Sequence, residues 1–273
     1  MESKEDKAKK RKKYRRFGIL LLLAIILCAS VQMFGEIQNY VDSEENYDEV
    51  EKHAVEKRKN NAKDENAVAL IHNRQKKTQA PISVDFESVK NHKEGNNVIG
   101  WLYVEAVEIS YPILQGNSND QYLKKNLDGE YDICGSVFMD SENSSDFSDP
   151  NTIIFGHNMA DGSMFGKLKQ FSLKGALQIS PYVWVITEQS EYCYQIFSVQ
   201  VAEVTDECYT LFSSRGEKFV EFLKRMRRNS TENTGEFEFY ENDDILTLST
   251  CNGSNTSSRY VIQAKKIQYL RRI

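Results

Sequence analysis

Ile245-Leu246-Thr247-Leu248-Ser249-Thr250-Cys251, with Arg259-Tyr260-Val261-Ile262-Gln263-Ala264 beginning eight residues after the cysteine, decides the reading of this 273-residue chain. Successive side chains of a strand point to opposite faces. Leu246, Leu248 and Thr250 therefore share one face of the first strand, and Thr247, Ser249 and Cys251 the other. On the second strand Tyr260, Ile262 and Ala264 form an apolar set, with Arg259 on the opposite face. Paired as a hairpin, the two apolar sets meet in a core. Cys251 and Arg259 then flank the loop of residues 252–258 on the same side, a placement that a one-residue slip would reverse. A thiol reacts as its thiolate, which nearby positive charge favours. Arg259 carries that charge permanently in a planar fork of donors. It suits stabilisation of a thiolate, a substrate backbone or an oxyanion.

A base is also present. His157 follows Phe155-Gly156 at the end of an apolar run, where an imidazole can protonate a leaving amine. The other three histidines, His53, His72 and His92, lie in or near a polar N-terminal region. A solitary histidine is more often structural, and an arginine near a cysteine is common. Thiol, guanidinium and imidazole together point to cysteine acyl transfer.

Outward from this motif, residues 1–16 carry nine Lys/Arg against three acidic residues, in a chain of net charge −5. A basic tail on an acidic body does not suggest a nucleic-acid binder. The run from Phe17 to Phe34 is 18 residues without a charge, close to the length needed to span a bilayer. The flanking cations predict a cytoplasmic tail at 1–16 and an extracellular remainder. A cleaved signal peptide is the rival, but no small-x-small cleavage site is evident. Of the five cysteines, Cys28 lies in this run; Cys134, Cys193 and Cys208 read as small buried apolar residues.

Residues 35–84 are polar and helix-tolerant, predicting a stalk of one or two helices, with a disordered linker as the alternative. From about residue 85 short apolar runs recur between Gly, Asn, Asp and Ser clusters. Strands are predicted at 101–109, 111–114, 136–139, 152–155, 182–186, 191–197, 199–204, 245–251 and 260–267. This spacing suggests a closed barrel or sandwich. Helices are predicted at 164–171 and 216–228, the second with Phe219, Phe222, Leu223 and Met226 on one face. The acidic loop 140–149 reads as solvated rather than as a calcium site.

These residues resemble the sortases, class B. The Thr-Leu-x-Thr-Cys strand is matched by Thr247–Cys251, the arginine of the next strand by Arg259, and the Gly-His motif by Gly156-His157. Trp101-Leu102, Tyr111–Gly116, Asn119–Leu123 and Asp161–Gly166 agree with class B as well. The resemblance covers about residues 98–267. It implies a mainly β fold: a closed eight-stranded barrel over 85–273, with N-terminal helices and a helix before the cysteine strand. It implies Cys251 as nucleophile, His157 as general acid/base and Arg259 as stabiliser of oxyanion and substrate. Asn119, Leu123, Ser249 and Thr250 would line the groove for a sorting-signal peptide of the Asn-Pro-x-Thr type. That signal is cut after Thr, and the acyl group passes to an amine of a peptidoglycan precursor. No metal or organic cofactor is implied. A thiol hydrolase releasing product to water, a non-catalytic surface assembly protein and a pilin polymerase are the rival readings.

Overall fold

The computed structural model describes residues 4–58, 79–173, 175–250 and 257–272, with side chains described from residue 13 onward apart from Glu36. Residues 1–45 and 46–273 form two separate units. In the first, helix α1 (Lys4–Ala54) carries the apolar run. An 18-residue window of that helix is long and apolar enough to cross a membrane, and none of it is buried. Its side chains across residues 17–34 are exposed, and 18 residues of helix span about 27 Å, close to a bilayer's hydrocarbon core.

The second unit begins with the end of α1, where Tyr47, Val50 and Ala54 recur at helical spacing and are buried. Of the region read as a stalk, residues 46–58 and 79–84 belong to this unit and add Val50, Ala54, Ala80, Ile82 and Val84 to its core. Strand β1 (Val55–Lys57) pairs antiparallel with β2 (Ile82–Val84). Helix α2 (Phe86–Lys90) follows, its first amides accepted by the Asp85 carboxylate, a cap of the expected kind. Val50, Ala54, Ile82, Val84 and Phe86 share one cluster with Trp101, Trp184 and Ile186. Arg58 adds a bidentate pair to Glu191, at 2.7 and 3.0 Å, and Glu191 also accepts from the Ala80 amide.

Eight strands form a closed barrel: β3 (Val98–Val104), β4 (Ile109–Leu114), β5 (Val137–Met139), β6 (Asn151–Gly156), β7 (Tyr182–Ile186), β8 (Ser190–Glu203), β9 (Ile245–Thr250) and β10 (Ser258–Arg271). Their order is β10-β8-β7-β3-β4-β5-β6-β9, with β9 closing on β10. The pairs β4–β5 and β6–β9 are parallel, and the others are antiparallel.

Some boundaries differ from the sequence reading. The run 101–109 is broken by a 3₁₀ turn at Glu105–Val107, after which Glu108 takes a left-handed φ of 49°. The stretches 191–197 and 199–204 join into the 14-residue β8, which carries an irregularity opposite Gln263 and Ala264. The helix predicted at 164–171 is a 3₁₀ turn (Gly166–Lys169) running into α3 (Gln170–Leu173); α4 (Ala176–Ile179) comes next. Helix α5 (Glu217–Arg228) lays Phe219, Phe222, Leu223 and Met226 onto Phe197, Ile245 and Val261.

The final hairpin has the predicted register. Ile262 faces Leu248 and Ala264 faces Leu246, so the apolar sets coincide. The other face is not open to solvent, because every residue of β9 is buried. On that face Ile245 packs with the α5 cluster, Tyr209 of the connection before α5 bonds Ser249, and Asn151 and Gln263 bond Thr247.

Candidate active site

The site is organised by the parallel pairing of β6 with β9. Phe155 lies opposite Ser249 and Gly156 opposite Thr250, so both strands end together. His157 is the first residue beyond β6. Cys251 is the first beyond β9 in sequence and lies outside the described residues. Gly156 is required by close packing: a Cβ there would stand 2.7 Å from Cγ of the buried Phe165 ring.

His157 is half-buried and its Nε2 lies 2.7 Å from the Leu123 carbonyl. A carbonyl oxygen only accepts, so Nε2 carries a proton and donates. That leaves Nδ1 as the nitrogen able to exchange a proton with a reacting group. The Phe165 amide donates to the His157 carbonyl at 2.8 Å, fixing the backbone there. Leu123 thus touches the site through its backbone, while its half-buried side chain packs at the edge of the N-terminal cluster.

Ser249 is buried, and its Oγ lies 2.8 Å from the Tyr209 hydroxyl. The Tyr209 ring stacks on Phe155 at 6.4 Å between centroids. One side chain therefore lies across the ends of both strands that carry the predicted base and nucleophile. Burial pushes the Tyr209 hydroxyl well above its ordinary pKa, opposed by the Ser249 bond and by the Arg259 charge. Arg259 belongs to β10 and lies on the face of Val261, which pairs with Ser249. Its guanidinium is half-buried and donates to the Ser258 carbonyl at 3.1 Å.

Thr250 is fully buried at the end of β9. Asn119 is engaged elsewhere: it donates to Asp140 at 3.1 Å and accepts from the Ser141 amide at 2.8 Å, tying its loop to the acidic loop. Carboxylates of that acidic loop cap local turns, Asp149 taking Asn143 and the Ser144 amide. Among the described residues no three metal-ligating side chains converge on a possible metal position.

Sequence reasoning missed Tyr209 and Phe155. Tyr209 lies in the connection between β8 and α5, 40 residues from Ser249, and only the tertiary structure joins them. The arrangement offers a proton-exchanging imidazole, a fixed cation and an aromatic-roofed floor, which suit acyl transfer at an adjacent nucleophile.

Comparison with known proteins gives a consistent result. A family model for the sortase domain matches residues 102–267. Sortase B of Listeria monocytogenes is 36% identical over 179 residues, covering 64% of this chain and 72% of that protein. Sortase B of Staphylococcus aureus is 29% identical over 194 residues, covering 70% and 78%. A crystal structure of sortase B from B. anthracis in complex with AAEK1 superposes with a TM-score of 0.67 at 26% identity, covering 85% of this chain and 99% of that one. A Staphylococcus aureus sortase B–substrate complex gives 0.61 at 29% identity, covering 67% and 84%.

Proposed function

The chain belongs to the sortase family of cysteine transpeptidases, class B, and from that premise we propose the following reaction. It is a membrane-anchored enzyme that cuts a C-terminal sorting signal and transfers the resulting acyl group from its cysteine to an amine of the cell-wall precursor. The observation that carries this is the parallel register of β6 and β9, which ends the histidine strand and the cysteine strand side by side.

The Cys251 thiolate attacks the carbonyl of the signal's Thr, forming a C–S bond and a tetrahedral oxyanion. Arg259, on the neighbouring β10, stabilises that charge. His157, its Nε2 held by the Leu123 carbonyl, gives the Nδ1 proton to the departing amine as the C–N bond breaks. An incoming amine then attacks the thioester, loses its proton to His157 and releases the thiolate. The product is a new amide, and no redox partner or cofactor is consumed. Ser249, Thr250, Leu123 and Asn119 are read as groove residues, Asn119 after release from Asp140. Tyr209 joins them as the wall above Ser249.

The exposed apolar segment of α1 supports an anchor at residues 17–34, with residues 1–16 cytoplasmic and the barrel outside. The test uses the detergent-solubilised chain with an Asn-Pro-x-Thr-type peptide, with and without a small primary amine. The expected products are peptide cut after Thr, and the amide adduct when amine is present. Hydrolysed product alone across all amines would favour the hydrolase reading. No cleavage of any Thr-containing signal would refute the proposal.

A further inference from the structure

A line of buried amides and hydroxyls crosses the barrel wall beneath Tyr209. Gln200 on β8, Gln263 on β10, Thr247 on β9 and Asn151 on β6 are each at most 4% exposed. Buried polar groups of this kind are tolerated only when bonded. Here each donates to the next: Gln200 Nε2 to Gln263 Oε1 at 3.4 Å, Gln263 Nε2 to Thr247 Oγ1 at 3.2 Å, and Thr247 Oγ1 to Asn151 Oδ1 at 2.7 Å. Asn151 Nδ2 ends the line by donating to two backbone carbonyls, Cys208 at 3.2 Å and Thr210 at 3.1 Å. Those two carbonyls bracket Tyr209.

The direction of the line is fixed at its end. Carbonyls only accept, so the Asn151 amide group must face them, and its oxygen must then accept from Thr247. Flipping Asn151 would set oxygen against oxygen twice. Asn151 begins the strand that leads to His157, and Thr247 lies in the strand that leads to Cys251. The segment carrying Tyr209 is thus hung from the same two strands whose ends form the site.

We infer that Asn151, oriented by Thr247, is a positioning residue that holds Tyr209 over Ser249 and so sets the shape of the peptide groove. This rests on the transpeptidase reading above and deepens it. The relay touches no reacting atom, so its loss should weaken binding of the signal peptide and leave chemistry at Cys251 nearly intact.

Steady-state cleavage of the signal peptide by the full chain in detergent tests this, comparing wild type, Thr247→Val, Thr247→Ser and Asn151→Ala. Thr247→Val keeps the side-chain shape and deletes the hydroxyl; Thr247→Ser keeps the hydroxyl. Expected is a rise in KM of about tenfold for Thr247→Val and Asn151→Ala with kcat within about twofold, and near wild-type KM for Thr247→Ser. Tyr209→Ala in the Thr247→Val background should add little, because linked positions are not additive. A merely structural role would lower the active fraction and the melting temperature without moving the KM of the surviving enzyme. Unchanged KM, failure of Thr247→Ser to restore it, or full additivity with Tyr209→Ala would each overturn the inference. So would failure of both Thr247→Val and Asn151→Ala to fold, which would assign the relay to the fold alone. Absence of cleavage by the wild-type chain would instead refute the transpeptidase reading.

Discussion

Adding one methyl group at Gly156 should damage both the fold and the site. Gly156 ends β6 immediately before His157, and a Cβ there would meet Phe165 Cγ, Cδ1 and Cδ2 at 2.7, 2.8 and 2.9 Å. Ordinary contact begins at 3.4 Å, so the ring must retreat by about 0.7 Å. Phe165 has no exposed surface into which to move, and its amide is bonded to the His157 carbonyl at 2.8 Å. Overpacking of a filled core costs about 1–3 kcal/mol, and the displacement falls on the residue bonded to His157. Gly156→Ala should lower the free energy of unfolding by that amount, read from the urea midpoint of the detergent-solubilised chain. Its kcat/KM per folded molecule should fall by roughly tenfold to a hundredfold, the scale of sub-ångström to 1 Å misplacement of a reacting group. A stability change within about 0.5 kcal/mol, typical of an unconstrained surface position, would show that Phe165 has room and that the close approach does not hold His157.

Glu191→Ala leaves the Arg58 guanidinium without its bidentate partner, in a pair whose side chains are 23% and 5% exposed. Breaking such a pair from one side should cost about 3 kcal/mol in urea unfolding; a loss below about 1 kcal/mol, as for a surface pair, would show that this contact does not pin the N-terminal strands. The Cys208 thiol is pushed up from 9.0 to about 12, chiefly by burial. The native state therefore holds that proton more tightly than the unfolded chain does, and its contribution to stability is lost as pH rises from 9 toward 12. Cys208→Ala should flatten the alkaline limb of unfolding free energy against pH, and an unchanged slope would contradict a buried thiol.

Much of the barrel was legible because its strands are short apolar runs between turn-forming clusters, and because alternation fixed the last hairpin. Leu246, Leu248, Ile262 and Ala264 meet as the period of two requires. What alternation could not show was the cover on the second face. Thr247 and Ser249 were set on the face opposite the apolar one, yet both are buried, Ser249 against Tyr209 and Thr247 against Asn151 and Gln263, and no local signal in β9 announces those partners. The break at 105–107 was also hidden, since the apolar content of 101–109 suits a single strand and nothing local marks the 3₁₀ turn or the left-handed Glu108 that follows it. The N-terminal packing was partly visible: Tyr47 and Val50 are apolar residues on one helical face within a polar stretch, and both are buried. Of the candidate site, Cys251, His157 and Arg259 were read from motif and spacing, and Ser249 only through the resemblance. Tyr209, Phe155 and Asn151 were not, because their roles arise from contacts across strands distant in sequence.

The central claim is covalent catalysis at Cys251, and intact-mass analysis of the full chain with a sorting-signal peptide tests it most directly. The predicted result is a mass increase equal to the acyl portion ending in Thr, mapped by proteolysis to Cys251, discharged by added amine and absent from Cys251→Ala. An adduct on Cys134, Cys193 or Cys208, or cleavage that persists in Cys251→Ala, would contradict it.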